Sequence, residues 1–263
     1  MTTGGVPGPL HTEAMGRAGA PPLVLVHPNP MDSASWAFQL AHLSTWFHTV
    51  AVDLPGYGRS PSAEPDVSLP QIADACWAAA SRRAGDAPAV LVGCSVGAYV
   101  VEHMYHRAPQ RTRAVVLSGT GLGAAKASTG TRIAAFAEQG LAYREPYTLE
   151  DFSGAFRDGP LAGWFATLFG ERNPFADVDT IVAMYRAVAQ PDPGWLHREL
   201  HAPVLLVSGS EDKAGRTAGE LAAELPDAER EVVPGAGHAC HIEQPWAYDR
   251  LVLDFLRRRG LLP

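Results

Sequence analysis

An α/β fold is predicted for this chain: a mostly parallel central sheet, helices on both faces and an inserted helical cap. Three observations predict it. Six short runs rich in Val and Leu, bounded by Gly, Pro, Asp or Ser, do not alternate apolar with polar residues, which is the pattern of strands buried on both faces. Segments of helical character lie between them, so successive strands are joined by crossovers and run parallel. One interval breaks the rhythm. Roughly 80 residues separate the run ending near Ser118 from the one starting near Val204, far more than a single crossover helix needs.

In chain order, the strand runs are Leu23 to His27, Thr49 to Leu54, Val90 to Cys94, Ala114 to Ser118, Val204 to Ser208 and Glu231 to Val233. The first helix is expected over Asp32 to Phe47, which opens on Asp and Ser, residues whose side chains cap free N–H groups. The second, Leu69 to Ala84, follows Ser68 and carries Ile72, Cys76 and Ala79 or Ala80 along one face. Val96 to Arg107 follows a turn at Ser95, and Arg216 to Leu225 follows Asp212. The last, Pro245 to Arg259, ends in three arginines before Gly260, a favourable helix C-terminus. The long interval holds Phe136, Tyr143, Tyr147, Phe152, Phe156, Trp164, Phe165, Phe169, Phe175, Tyr185 and Trp195, and reads as a helical, aromatic-rich cap. The division is therefore a core of residues 1–119 and 201–263 with a cap of residues 120–200. The Gly/Pro-rich stretch over residues 1 to 9 is expected to be poorly ordered.

Length and composition bound the function. The chain has 263 residues, 46% of them hydrophobic, enough for a large core in one domain or two small ones. Lys and Arg number 21 against 28 Asp and Glu, a formal charge of -7, which lacks the basic footprint of a nucleic-acid partner. Cys76, Cys94 and Cys240 make a poor disulfide framework, and no Cys/His spacing suggests zinc. The first residues lack the basic start and apolar run of a signal peptide, and no apolar stretch approaches the ~18 residues of a membrane helix. The expectation is a cytoplasmic protein, monomer or homodimer, with a small-molecule substrate, no membrane or nucleic-acid partner, no metal and no cofactor. No Gly-x-Gly-x-x-Gly follows the first strand, and Gly119 to Gly123 reads as the entry to the cap, not as a phosphate cradle.

The strongest motif is Gly93-Cys94-Ser95-Val96-Gly97, between a strand run and a helical segment. That context suits a nucleophile elbow, in which small residues let strand and helix approach while a strained serine exposes its hydroxyl. The helix N-terminus then offers free N–H groups to a developing oxyanion, with Val96 N–H as one donor. Cys94 reads as a small buried residue at the strand end.

A serine hydroxyl needs a base to become nucleophilic. His238, in Gly235-Ala236-Gly237-His238 after a short strand, has the best context of the ten histidines; His241 is its neighbouring competitor, and His27 reads as structural. An acid must hold the imidazole in the right tautomer. Asp212 stands just after the strand from Val204, with Glu211 as the alternative. The order Ser95, Asp212, His238 is the one found on α/β-hydrolase sheets.

The chain thus resembles the α/β-hydrolase superfamily, in its capped, small-molecule serine hydrolase form of esterase or lactonase type. Besides the elbow, the likeness is carried by Leu23-Val24-Leu25-Val26-His27-Pro28-Asn29-Pro30, by Asp53-Leu54-Pro55-Gly56-Tyr57-Gly58-Arg59-Ser60, and by the His238 loop with Glu243-Gln244-Pro245. It implies the α/β-hydrolase fold with the cap inserted after the strand that follows the elbow helix. It also implies more antiparallel N-terminal strand than residues 10 to 20 can supply, so that corner is expected to be trimmed. Relatives mostly carry His-Gly where this chain has His27-Pro28; proline has no N–H, so the second oxyanion donor falls to Asn29 N–H. Asn29-Pro30 with Trp36 further resembles the loop of haloalkane dehalogenases, and Trp36 and Trp164 are the expected substrate contacts.

The nucleophile argues against dehalogenation. Serine displacing a halide from saturated carbon would leave an ether that water does not open, whereas a carboxylate leaves an ester that it does. Ser95 therefore points to attack on a carbonyl, as in an ester, lactone, thioester, activated amide or ketone, and the aromatic cap to a small or medium apolar substrate. C–C bond hydrolysis, a lyase or a cyclase step on the same triad, or a ligand-binding protein with residual activity, are the rival readings.

Overall fold

The computed structural model describes residues 5–172, 176–190 and 193–262. Among these residues seven strands form one sheet: β1 (Thr12–Met15), β2 (Pro22–Val26), β3 (His48–Val52), β4 (Ala89–Cys94), β5 (Thr112–Ser118), β6 (Val204–Gly209) and β7 (Ala228–Val233). Their order is β1-β3-β2-β4-β5-β6-β7. All neighbours pair in parallel except β1, which runs antiparallel to β3. Among the described residues, β1 is the single antiparallel strand.

The absence of alternation in the strand runs has a direct packing cause. Val24, Val26, Leu91, Val115, Leu117, Val204 and Leu206 point to one core, shared with α2 (Leu69–Ala84) and α3 (Val96–Arg107). Leu23, Leu25, Val90, Val92, Val116, Leu205 and Val207 point to the opposite core, shared with α1 (Ala37–Leu43) and α11 (Pro245–Arg258). Neighbouring strand residues face opposite ways, so a sheet covered on both faces needs apolar residues at every position. β7 departs from this. Its first residues include Glu229, Arg230 and Glu231, partly exposed at the sheet edge, which is why the sequence shows only its last three residues as a strand. Arg259 pairs there with Asp227 and Glu229.

Helix α2 occupies the expected span, with a capping box in which Ser68 N–H donates to Gln71 Oε1 at 2.8 Å. The expected Asp32 to Phe47 helix is instead split. Asp32 caps a 3-10 turn at Ser33–Trp36, accepting from Ala34 N at 2.7 Å, and α1 begins only at Ala37. The expected Arg216 to Leu225 helix likewise opens as a 3-10 turn, Ala214–Thr217, before α9 (Ala218–Glu224). The Gly/Pro-rich start is more ordered than its composition suggests: residues 1–4 lie outside the described residues, but Val6 and Leu10 are buried in the first core.

Among the described residues between β5 and β6 lie the helices α4 (Ala124–Gln139), α5 (Arg144–Glu150), α6 (Gly154–Arg157), α7 (Pro160–Arg172) and α8 (Val178–Val188). Phe136, Tyr143, Tyr147 and Tyr185 pack against one another inside this insertion. A third apolar cluster joins Phe152, Phe165 and Phe169 of the insertion to Met31, Ala239 and Ile242 of the core. Ile242 belongs to a short helix, α10 (Cys240–Glu243), that the sequence does not signal. Phe175 lies outside the described residues.

Candidate active site

Four loops leave the carboxyl ends of neighbouring parallel strands, where open α/β sheets place their ligands. They carry Asn29 after β2, Ser95 after β4, Asp212 after β6 and His238 after β7. All four residues, with Val96, line one cleft of about 810 Å³ roofed by the helical insertion. A second depression of about 440 Å³, beside His103 between the start of α2 and α8, contains none of them.

Ser95 has φ 54° and is the one non-glycine residue with positive φ among the described residues. A left-handed serine costs on the order of 1–3 kcal/mol, a strain that typically persists at sites. The flanking glycines make the turn possible. A β-carbon on Gly93 would lie 2.2 Å from Gly97 O, and one on Gly97 would lie 2.2 Å from Val26 O. Strand and helix approach until only hydrogen fits at either position. Ser95 N–H donates to Ser118 O at 2.9 Å, which pins the turn to β5. Val96 opens α3, where the first N–H groups have no partner within the helix.

His238 Nδ1 lies 3.0 Å from Asp212 Oδ1. Asp212 Oδ1 also accepts from Ala214 N at 2.9 Å. Burial opposes charge on Asp212, but the imidazole, its hydrogen bond and the N–H groups of Ala214 and Gly215 hold the carboxyl below its ordinary range. Burial likewise opposes charge on His238, yet Asp212, with Asp151 adding, pushes the imidazole up to about 9. The two sequence alternatives are held differently, Glu211 at the exposed rim of the same cleft and His241 in the interior. Glu211 is exposed and accepts from Gly154 N at 3.4 Å. His241 is fully buried, stacked on Trp36 at 4.1 Å, and burial pushes it down to about 3.

The Asn29 loop is held from two sides. His27 Nε2 accepts from Leu54 N at 2.9 Å while its Nδ1 meets Pro28 O at 2.9 Å, so the ring is neutral and structural, and burial lowers it. Arg144, a buried arginine of the insertion, donates from Nη2 to Pro30 O at 2.8 Å and to Phe169 O at 3.2 Å. Asn29 is 1% exposed, and its side chain lies beside the Tyr185 hydroxyl.

The two expected tryptophan contacts are not in the cleft. Trp36 is fully buried in the second core, because the 3-10 turn that carries it stacks the indole on His241. Trp164 is 56% exposed on α7 and packs edge-on against Phe165. The aromatic residues that do line the cleft are Tyr99, Tyr147, Phe152 and Tyr185. Charged groups join them, notably Arg132 and Asp151 inside and Arg157, Lys213 and Arg216 at the exposed rim, so the cleft is more polar than the aromatic insertion suggests. Arg132 sits 3.7 Å above the Tyr147 ring and pairs with Glu150 at 2.6 Å. Tyr185 donates its hydroxyl to that of Tyr147 at 2.6 Å. The one sequence signal for Asp151 is the adjacent carboxylate pair Glu150-Asp151 in an otherwise aromatic stretch.

Comparison with known proteins agrees with this fold. Residues 23–248 match the model of a family described as "Alpha/beta hydrolase family". A pimeloyl-[acyl-carrier protein] methyl ester esterase of Vibrio campbellii is 35% identical over 107 residues, a match spanning 41% of this chain and 39% of that protein. A 2-hydroxy-6-oxononadienedioate/2-hydroxy-6-oxononatrienedioate hydrolase of Burkholderia vietnamiensis is 26% identical over 254 residues, covering 90% of this chain and 87% of that protein. The enol-lactonase structure from Burkholderia xenovorans superposes with a TM-score of 0.83 at 22% identity, covering 94% and 96% of the two chains, a likeness of fold.

Proposed function

Since the chain belongs to the alpha/beta hydrolase family, we propose that it is a serine hydrolase that cleaves an ester, lactone or thioester of a small molecule through an acyl-enzyme on Ser95. The observation that carries this is the left-handed Ser95 facing the cleft that also holds the 3.0 Å His238–Asp212 pair. His238 takes the Ser95 proton as the hydroxyl oxygen attacks the carbonyl carbon. The N–H groups of Val96 and Asn29 receive the oxyanion, each worth about 3 kcal/mol in the transition state. His238 returns the proton to the leaving group, and water then releases the acyl group with His238 again as base. Asp212 fixes the tautomer, and residues 120–200 act as the cap.

The test is labelling with a fluorophosphonate, read by mass spectrometry of the intact protein and its peptides. One adduct on Ser95, lost in Ser95→Ala with the circular dichroism spectrum unchanged, is the expected result. Wild-type protein without an adduct, or Ser95→Ala with full esterase activity, overturns the reading. A second reading, cleavage of a C–C bond beside a ketone on the same triad, is favoured by the similarity to a hydrolase whose named substrate is a hydroxy-oxo diacid. Product analysis separates the two: an ester yields an acid and an alcohol, a C–C bond an acid and a ketone.

A further inference from the structure

Asp151 closes α5 and lines the same cleft as Ser95 and His238. It is 6% exposed, and among the described residues no group donates to its Oδ2. Buried carboxylates are ordinarily paired, so this one calls for a role. Its backbone grips the His238 loop on both sides of the ring. Asp151 O accepts from Ala239 N at 3.2 Å, and a β-carbon on Gly237 would lie 2.9 Å from the same oxygen. Glu243 locks the contact, accepting from Gly237 N at 2.9 Å and from Ser153 N at 3.2 Å. The backbone of Asp151 is thereby fixed against the loop that carries the imidazole, and both residues line the same cleft.

We propose that Asp151 is a second carboxylate for His238, a positioning residue of the insertion that stabilises the protonated ring alongside Asp212. The proposal rests on the serine hydrolase reading for its catalytic meaning. The charged groups that face Asp151 are His238 from the loop after β7, Arg132 from α4, Asp212 from the loop after β6 and Glu150 from α5. Burial pushes Asp151 up to about 7; His238 and Arg132 pull it down, and Asp212 and Glu150 add to the rise. On the ring, burial and Arg132 oppose protonation while Asp212 and then Asp151 favour it. The imidazolium that forms as Ser95 attacks is thus held by two carboxylates, one hydrogen-bonded and one through space. In the resting protein the same pair keeps the ring protonated into alkaline pH.

The experiment is an NMR titration of the histidine ring protons in wild type, Asp151→Asn and Asp151→Glu, with His238 assigned by its loss in His238→Gln. Removing a neighbouring charge is expected to lower the ring's titration midpoint by about 1 pH unit, and Asp151→Glu to hold it at the wild-type position. Asp151→Ser, a smaller neutral side chain at the same position, is expected to lower the midpoint in the same way and covers the case in which Asp151→Asn does not fold. A midpoint unmoved in Asp151→Asn, or in Asp151→Ser where the first does not fold, overturns the proposal. The pH dependence of Ser95 phosphonylation by a fluorophosphonate is followed in parallel. A moving ring with no Ser95 adduct at any pH defeats the serine hydrolase reading and leaves the Asp151–His238 coupling standing. An active Ser95 with an immobile ring does the reverse.

Discussion

The 3.0 Å contact between His238 Nδ1 and Asp212 Oδ1 joins the loops that leave two adjacent parallel strands, β6 and β7. It leaves Nε2 as the ring nitrogen available to a nucleophile. It also makes the ring a strong base, pushed up to about 9. A base acts only when neutral. Below that value kcat/KM is expected to climb with pH, by about tenfold per pH unit well below the limb, and to level off near pH 9. Rates on a chromogenic ester from pH 6 to 10 check this; a plateau already reached at pH 7 counts against the two-carboxylate environment of the ring.

Replacing Asp212 by Asn keeps the size of the side chain but presents the wrong groups to the imidazole. In a triad that change costs about 10⁴-fold in kcat, through loss of tautomer control and of the charge facing the imidazolium. Asp212→Asn is expected to show a loss of this order, with Ser95 still present and the fold intact by circular dichroism. Glu211→Gln is expected to change kcat by less than about threefold, since that side chain is exposed and turned toward Gly154. Equal losses in the two variants would refute the assignment.

Asp151 makes a stability prediction of its own. Its carboxyl is raised from 3.8 to about 7 in the folded protein, chiefly by burial. The folded state therefore binds a proton that the unfolded chain releases near pH 4. Stability from this group is fully present below the unfolded value and is lost as pH rises through about 7. Asp151→Asn, neutral at every pH, escapes that loss. Its melting temperature is expected to match wild type near pH 4, to exceed it increasingly up to pH 7, and to keep a constant lead above. Melting curves for both proteins across that range check the sign.

Arg144 reaches from the insertion to Pro30 O at 2.8 Å, on the loop that carries Asn29, the proposed second oxyanion donor. Arg144→Met keeps much of the buried stem but removes both carbonyl contacts. Loss of a hydrogen bond from a charged donor costs roughly 1.5–3 kcal/mol of stability. A loosened oxyanion donor is felt in the transition state, so kcat is expected to fall about 10- to 100-fold with KM nearly unchanged. A variant with raised KM and intact kcat would remove Arg144 from this role.

What the sequence made legible follows from how local each signal is. Ser95 is announced by its own pentapeptide, because Gly93 and Gly97 must be small for the turn to close. Asp212 and His238 follow strand runs whose apolar residues are dictated by a sheet buried on both faces. Trp36 and Trp164 could not be placed that way. The direction of Trp36 depends on a 3-10 turn capped by Asp32, and that of Trp164 on which face of α7 meets the core. Asp151 and Arg132 gain their setting only when α4 and α5 fold onto the His238 loop, a contact between segments about 90 residues apart that no short-range pattern encodes. The first half of β7 was hidden for another reason: an edge strand tolerates the charges of Glu229 to Glu231.

Gly119 and Gly97 separate geometry at the site from geometry of the fold. Gly97 is wedged against the backbone of β2, where a β-carbon would lie 2.2 Å from Val26 O and nothing flexible can yield. Gly97→Ala is expected to destabilise the whole protein by more than about 3 kcal/mol and to be recovered mostly as insoluble material. Gly119 stands at φ +58°, and the nearest obstacle to a β-carbon there is the His238 ring, at 2.9 Å from Cε1 and 3.1 Å from Nδ1. Gly119→Ala adds the strain of a left-handed alanine, about 1–2 kcal/mol, and displaces a side chain that can move. The expected result is a soluble protein that melts a few degrees lower and has lost at least about 100-fold in kcat, because a misplacement of about 1 Å is enough for that loss. Urea melts and ester hydrolysis measured on the same preparations decide it. A Gly119→Ala variant with unaltered kcat would mean that His238 does not need the position it holds here.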